Sequence, residues 1–214
     1  FTLGIGLSHK VVIENMFGLS YDKPVRHLRE YLSVLMPLSR NEPANFDGEA
    51  YRVHAAVNAN GSNGFGVVVA ALGEQLLRVT AALADGTLTW CTGPATLAGH
   101  TIPTITEAAE KHGRPAPRVI AALPVCVTTD TEAATERAAE EFAAYGALPS
   151  YRAMLDREGV AGPAEIAIIG SAAQVQDRVA ALADIGVTDF AAVEVGGTPD
   201  EIAETREALK GLLV

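Results

Sequence analysis

The stretch GFGVVVAALGEQLLRVTAALADGTLTWCTGP, residues 64–94, decides the fold. Residues 66–71 form a continuous apolar run rich in Val, which is typical of a strand buried on both faces of a parallel sheet. Residues 74–84 carry apolar side chains at helical spacing, and an Asp-Gly pair ends that helix. A second short strand follows over residues 87–91. The stretch therefore predicts a strand–helix–strand unit.

Small residues occupy the turn that follows each of these two strands. Backbone N–H groups at the start of a helix carry partial positive charge, and small side chains leave them accessible. Such turns favour an anion, most often a phosphate. Ordinary strand-to-helix turns use the same residues, so the pattern alone leaves both interpretations open. The candidate contacts in the two turns are Ala70, Ala71, Leu72, Gly73, Thr92 and Gly93.

Strands and helices alternate along the rest of the chain. The five predicted strands cover residues 1–7, 66–71, 87–91, 118–127 and 189–195. Pro124 lacks an N–H donor, so we expect the fourth of these strands to end or bulge there. Alternation of this kind predicts a parallel sheet, either open and doubly wound or closed into a barrel. In both architectures ligands bind at the carboxyl ends of the strands, which adds Ser8 and His9 to the candidates.

The segment over residues 37–64 interrupts this alternation. An Asp47-Gly48 pair predicts a small hairpin, and residues 51–57 are its expected return strand. Residues 58–64 are polar and Gly-rich, which predicts an exposed loop. We interpret the segment as an insertion within a single domain of residues 1–214.

Composition restricts the class of protein. The chain has 214 residues, a hydrophobic content of 49% and a net charge of -10, which argues against nucleic acid as a partner. There is no 18-residue apolar run, so no membrane span is expected. Two cysteines are too few for a disulfide framework, and a reducing cytoplasm is the expected location. The five histidines form no metal-binding motif, so we expect no metal.

Several segments together resemble the luciferase-like monooxygenase family, and most closely its branch that uses the deazaflavin coenzyme F-420. The segments that carry the resemblance are FTLGIGLSH (1–9), GLSYDKPVRHLREYL (18–32), FDGEAYRV (46–53), VVVAALGEQLLRVTAALADGTLTWCTGP (67–94), RVIAALPVCVTTD (118–130), YGALPSYRAMLDREG (145–159) and VAALADIGVTDFAAVEVG (179–196). The resemblance implies an α/β fold, the (β/α)8 TIM barrel of bacterial luciferase. The chain opens directly on a strand and has five of the eight. It is therefore predicted to lack the first three βα units, and by itself it is predicted to be an incomplete catalyst.

The resemblance also implies roles for the strand ends. Ser8 and His9 would lie at the end of the fourth barrel strand, residues 70–73 at the end of the fifth, and Thr92 and Gly93 at the end of the sixth. These positions resemble the family's contacts to the phosphate and side chain of the cofactor. Luciferase itself presents an Arg near the end of the fourth strand. Ser8 and His9 in that place favour the deazaflavin over FMN.

The resemblance further places residues at the mouth of the substrate site and implies partners. Tyr145, Tyr151 and Arg152 would lie near that mouth, and no catalytic residue is identified. A homodimer and a small-molecule substrate are expected. The anionic tail of the cofactor requires positive charge, for which Lys10, Arg40 and Arg52 are candidates.

The expected function is that of an oxidoreductase that transfers hydride between the deazaflavin and a small organic substrate. Two alternatives stay open. One is an FMN-dependent monooxygenase on the same barrel, and the other is a non-catalytic flavin-binding protein that keeps the scaffold alone.

Overall fold

The computed structural model describes residues 1–57, 61 and 63–213. The chain divides into two compact units. The first consists of Phe1–Leu88 with Thr104–Arg118, and the second of Thr89–Pro103 with Val119–Val214. The single domain of residues 1–214 stays a prediction.

The first unit is built on parallel strands with helices between them. Its elements are β1 (Thr2–Ile5), α1 (Lys10–Asn15), α2 (Pro24–Ser39), β2 (Ala44–Asp47), β3 (Arg52–Ala55), β4 (Gly66–Val69), α3 (Glu74–Leu83) and the start of β5 (Gly86–Trp90). β1 pairs with β4 and β4 with β5, both in parallel. The Val run of β4 is almost fully buried, as its unbroken apolar sequence requires.

The second unit repeats the alternation around β6. Its elements are α4 (Pro94–Thr96), a π-helical turn (Leu97–Thr101), the start of α5 (Ile102–Lys111), β6 (Arg118–Val127), α6 (Thr131–Ala147), α7 (Pro149–Glu158), a 3-10 turn (Pro163–Ile166), β7 (Ile168–Gly170), α8 (Ala172–Asp184), β8 (Asp189–Glu194) and α9 (Pro199–Lys210). β6 pairs in parallel with both β7 and β8. Ser171 and Gln174 form a capping box that starts α8.

The α/β alternation with parallel strands is confirmed, and the insertion contains the predicted hairpin. β2 and β3 pair in antiparallel fashion across it, with Asp47 opposite Arg52. Residues 58–60 and 62 of the predicted loop lie outside the described residues. The absence of three βα units before residue 1 stays a prediction.

Two local predictions were wrong. β6 runs unbroken through Pro124, which lies opposite Val193 of β8. The proline ring fixes φ in the range that extended strands adopt, so the strand loses one donor without losing its direction. The second error concerns the number of parallel strands, since five were predicted and β7 is a sixth among the described residues. The residues after His9 form the short helix α1, whose first turn closes on the His9 carbonyl.

Within the described part of the chain, no helix combines the length and apolar character that crossing a bilayer requires.

Candidate functional site

In the first unit the carboxyl ends of β1 and β4 lie side by side. Ile5 is in register with Val69, and the Ala70 N–H donates to the Ile5 carbonyl at 2.7 Å. A Cβ on Gly6 would lie 3.1 Å from the Ala70 methyl carbon, so glycine permits this close approach. The two predicted segments therefore meet at one edge of the sheet, as parallel strand ends must.

Ser8 and His9 leave β1 in a fixed backbone conformation. Ser8 is exposed and has a φ of 58°, in the left-handed region that non-glycine residues seldom adopt. The Tyr21 hydroxyl donates to its carbonyl at 3.0 Å. The His9 carbonyl accepts from the N–H groups of Val12 and Ile13, both at 2.9 Å. These bonds hold the backbone of Ser8 and His9, and thereby fix the positions from which their side chains project.

The turn over residues 70–73, the 70–73 turn, is supported by Thr87. Among the described residues it is open at Gly73. The buried Thr87 hydroxyl lies within donor distance of the carbonyls of Val69 (2.9 Å) and Ala71 (3.2 Å). Gly73 begins α3, and no side chain of the described residues caps that end. Among the described residues, no atom lies within 4 Å of the place where a Cβ on Gly73 would be. The Glu74 carboxylate pairs with Arg78 at 2.7 Å and does not cap the amides at the start of α3.

The turn over residues 92–96, the 92–96 turn, is closed. Thr92 and Gly93 are buried, and Gly93 begins α4. The Glu158 carboxylate accepts from the N–H of Ala95 at 3.0 Å and from the N–H of Thr96 at 2.7 Å. A Cβ on Gly93 would lie 2.3 Å from the Glu158 carboxyl carbon. The chain's own carboxylate therefore occupies the place where an anion would complement this helix start.

Buried acidic groups near the 92–96 turn stay protonated at neutral pH. Burial raises the pKa of the Cys91 thiol to about 12, and Cys91 has a φ of 50°. Burial, with contributions from Cys91 and Tyr145, raises the pKa of Tyr151 to about 12. Neither group supplies a thiolate or a phenolate, so the structure offers no activated nucleophile here.

Aromatic rings pack beside this turn in the second unit. Trp90 lies edge-to-face with Phe142 and Tyr145, with ring centroids 5.1 and 5.7 Å apart, and Tyr145 contacts Tyr151 in the same way at 5.3 Å. The buried Nε1 of Trp90 has no hydrogen-bond partner among the described residues. Two of the residues predicted near the substrate mouth, Tyr145 and Tyr151, thus belong to one aromatic cluster.

Arg152, the third of those residues, is committed to local structure. Its guanidinium donates to Asp156 at 2.7 Å and to the carbonyls of Val160 and Ala161, each at 2.7 Å. These three bonds tie α7 to the loop that follows it.

The three candidate cations for the cofactor tail are also paired. In the first unit Lys10 lies 3.8 Å from Glu14, Arg40 lies 3.6 Å from Asp85, and Arg52 lies 3.0 Å from Asp47. Each of the three would have to share its charge with a carboxylate in order to hold an anion.

Sequence reasoning missed the two side chains that decide the state of the turns. A threonine inside an apolar strand was a weak signal for Thr87. Glu158 gave no signal, because nothing in its own helix points to amides more than sixty positions earlier in the chain.

Residues 1–214 match the family described as luciferase-like monooxygenase. The chain belongs to this family. Over 86 residues, or 40% of the chain, it is 29% identical to the 5,10-methylenetetrahydromethanopterin reductase of Archaeoglobus fulgidus. That match spans only 26% of the archaeal protein. The family assignment made from the sequence is thereby confirmed.

Solved structures of the luciferase-like family share the fold. The coenzyme F-420-dependent tetrahydromethanopterin reductase from Methanopyrus kandleri superimposes with a TM-score of 0.74 at 21% identity. The match covers 94% of this chain and 70% of that protein. An F-420-dependent secondary alcohol dehydrogenase, solved with an F-420–acetone adduct, gives 0.77 at 16% identity, covering 99% and 69%. Monooxygenases are among the similar structures too.

Proposed function

We propose that this luciferase-like protein is an oxidoreductase that transfers hydride between coenzyme F-420 and a small organic substrate. The observation that carries the proposal is the open 70–73 turn beside the end of β1. Among the described residues, this turn offers an anionic cofactor a helix start without a capping side chain and a glycine whose missing side chain would meet no atom within 4 Å. The reductase from Methanopyrus kandleri and the secondary alcohol dehydrogenase are described as F-420-dependent, and the archaeal relative is a methanopterin reductase. These descriptions support the same cofactor class.

The residues present fit an anionic cofactor in the first unit. The 70–73 turn would place the cofactor phosphate at the backbone N–H groups that begin α3, and Thr87 supports that turn. Ser8 and His9 would contact the cofactor from the end of β1. In the second unit, Thr92 and Gly93 are proposed cofactor contacts on the basis of the family resemblance, and both are buried.

Bound deazaflavin supplies a ring that accepts or gives up a hydride, so the protein needs no nucleophile of its own. What the chain contributes is binding and orientation. Cys91 and Tyr151 stay protonated at neutral pH, so neither adds a negative charge at its end of β5. A small-molecule substrate, a homodimeric state and a cytoplasmic location belong to the same proposal.

An FMN-dependent monooxygenase is the second candidate. It is favoured by the monooxygenases among the similar structures. Against it stands the end of β1, where this chain has Ser8 and His9 in the place at which the resemblance implies an arginine in luciferase. The two candidates therefore differ in the cofactor that the same turns would select.

Parallel absorbance titrations with oxidised F-420 and with FMN decide between the candidates. They are made on the 214-residue chain and on a longer version that includes the βα units which the resemblance places before it. We expect saturable micromolar binding of F-420 and none of FMN. Selective binding of FMN would establish the second candidate. If neither form binds either cofactor, the proposal is wrong and a non-catalytic role becomes the better account.

A further inference from the structure

Helix α7 is linked to the segment from β5 to α4 near both of its own ends, indirectly at its start and directly at its end. Near its start Tyr151 packs on Tyr145 of α6, and Tyr145 packs on Trp90 of β5. At its end Glu158 bonds to the amides of Ala95 and Thr96. Both contacts lie within the second unit, and together they bracket the 92–96 turn.

Glu158 makes the closer of these contacts. Its two carboxylate oxygens each accept a different backbone N–H, and its side chain lies against the Cα of Gly93. The Thr96 hydroxyl donates in return to the Met154 carbonyl of α7 at 3.1 Å. Hydrogen bonds to an ionised acceptor are about twice as strong as neutral ones, so the Glu158 carboxylate binds the 92–96 turn strongly to α7.

The segment that Glu158 holds is one that needs support. Cys91, directly before the turn, has a φ of 50°, which is unfavourable for a residue with a Cβ. Strained backbone of this kind persists only where surrounding contacts determine it. The helix that follows passes at once into a π-helical turn, a second irregular feature.

We infer that Glu158 is a positioning residue that fixes the 92–96 turn for ligand binding. The inference rests on the proposed function, because it takes the turn to contact the cofactor side chain. Glu158 touches neither cofactor nor substrate in this account. It acts through the backbone of Gly93, Ala95 and Thr96.

Glu165 provides a matched control in the same unit. Its carboxylate also accepts from two consecutive backbone N–H groups, those of Ala161 (2.7 Å) and Gly162 (3.0 Å). It therefore makes the same kind of contact at a turn for which no ligand role is proposed. Glu165→Ala removes an equivalent pair of bonds and reports the cost of that loss alone.

Trp90 reports directly on the turn, because it is the chain's single tryptophan and lies two residues before Thr92. The test compares Glu158→Ala, Glu158→Gln and Glu165→Ala with the unaltered protein. Trp90 emission and the hydrogen exchange of the Ala95 and Thr96 amides are measured first, without ligand. F-420 affinity is then measured by absorbance titration.

We expect Glu158→Ala to shift Trp90 emission and speed exchange at residues 95 and 96, whereas Glu165→Ala changes neither. F-420 affinity should fall by about tenfold to a hundredfold in Glu158→Ala, because the backbone of the 92–96 turn would shift by a fraction of an ångström from the position that binding requires. Glu158→Gln, which keeps one acceptor oxygen, should fall between the unaltered protein and Glu158→Ala. The F-420 affinity of Glu165→Ala should stay within about twofold of the unaltered protein, since substitutions at sites without shared partners usually act independently.

Two results would overturn the inference. One is unchanged Trp90 emission and amide exchange in Glu158→Ala. The other is a disturbed turn with F-420 affinity equal to that of Glu165→Ala, which would make Glu158 purely structural. Absence of F-420 binding by every form would instead refute the proposed function and the ligand role with it, while Trp90 emission still decides whether Glu158 holds the turn.

Discussion

The 70–73 turn and the 92–96 turn occupy corresponding places and are in opposite states. Each follows a strand of a parallel pair and contains a glycine directly before a helix. No described atom lies within 4 Å of the place where a Cβ on Gly73 would be, whereas Gly93 lies against the carboxylate of Glu158. Among the described residues no side chain caps the first helix start, and a side chain from another helix complements the second.

The difference shows that a local pattern predicts what a turn attracts but not what fills it. The start of a helix favours negative charge whether that charge comes from a ligand or from the protein. A glycine in this position likewise permits close approach by either. Whether the turn is free for a ligand depends on a residue that local sequence does not contain.

The largest expected effect comes from a methyl group at the closed turn. Gly93→Ala places a Cβ 2.3 Å from the Glu158 carboxyl carbon and should lower the free energy of unfolding by about 2–4 kcal/mol through overpacking and displaced hydrogen bonds. Gly73→Ala, its counterpart, meets no described atom within 4 Å, and the lower entropy of the unfolded chain offsets the poorer helix cap, so the substitution should cost about 1 kcal/mol or less. Urea denaturation of both variants measures this. Equal losses would remove the distinction between the turns.

Removal of the support below the open turn should have the next largest effect. Thr87→Val keeps the shape of the side chain but removes the hydroxyl whose single proton is shared between the carbonyls of Val69 and Ala71. The expected loss is about 1–3 kcal/mol of unfolding free energy, the cost of leaving buried acceptors unsatisfied. Thermal or urea unfolding checks it, with Thr135→Val as an exposed control. An unchanged midpoint would show that Thr87 does not hold the turn.

A larger side chain at the open turn should separate binding from stability. Gly73→Val adds an isopropyl group at a position where a Cβ would meet no described atom within 4 Å, so the expected loss is only about 1 kcal/mol, the cost of a poorer residue before the start of α3. F-420 affinity should fall by about tenfold or more, because the side chain blocks close approach to the amides. A titration with F-420 tests this. Full affinity in Gly73→Val would place the phosphate elsewhere.

The smallest effect at neutral pH concerns the buried thiol beside the closed turn. The pKa of Cys91 is raised by burial from 9.0 to about 12, so the unfolded chain releases this proton at lower pH than the folded chain does. The free energy of unfolding should therefore be unaffected below about pH 9 and fall as the pH rises toward 12. Tyr151, raised from 10.0 to about 12 by burial, acts in the same direction.

Urea denaturation at a series of alkaline pH values measures this slope. Cys91→Ala should make the decline shallower, whatever it does to stability at neutral pH. A slope that is the same with and without the thiol would show that Cys91 does not couple folding to pH.

Much of the fold followed from periodicity. The Val run of β4, the helical spacing of α3 and the Asp47-Gly48 pair each predicted the element that the structure contains. The error at Pro124 arose because a missing donor was weighed more heavily than the pairing of the residues around it. Ser8 and residues 70–73 became candidate contacts because they lie at strand ends, a position that sequence order reveals.

The sequence by itself determined the alternation of strands and helices, the family and the strand ends at which the candidate site residues lie. Those properties depend on the order of apolar, small and polar residues along neighbouring positions. Tertiary structure alone decided that Thr87 supports one turn and that Glu158 fills the other. Hydrogen bonds between residues far apart in the chain leave no local pattern, because they exist only once the core has brought the two elements into contact.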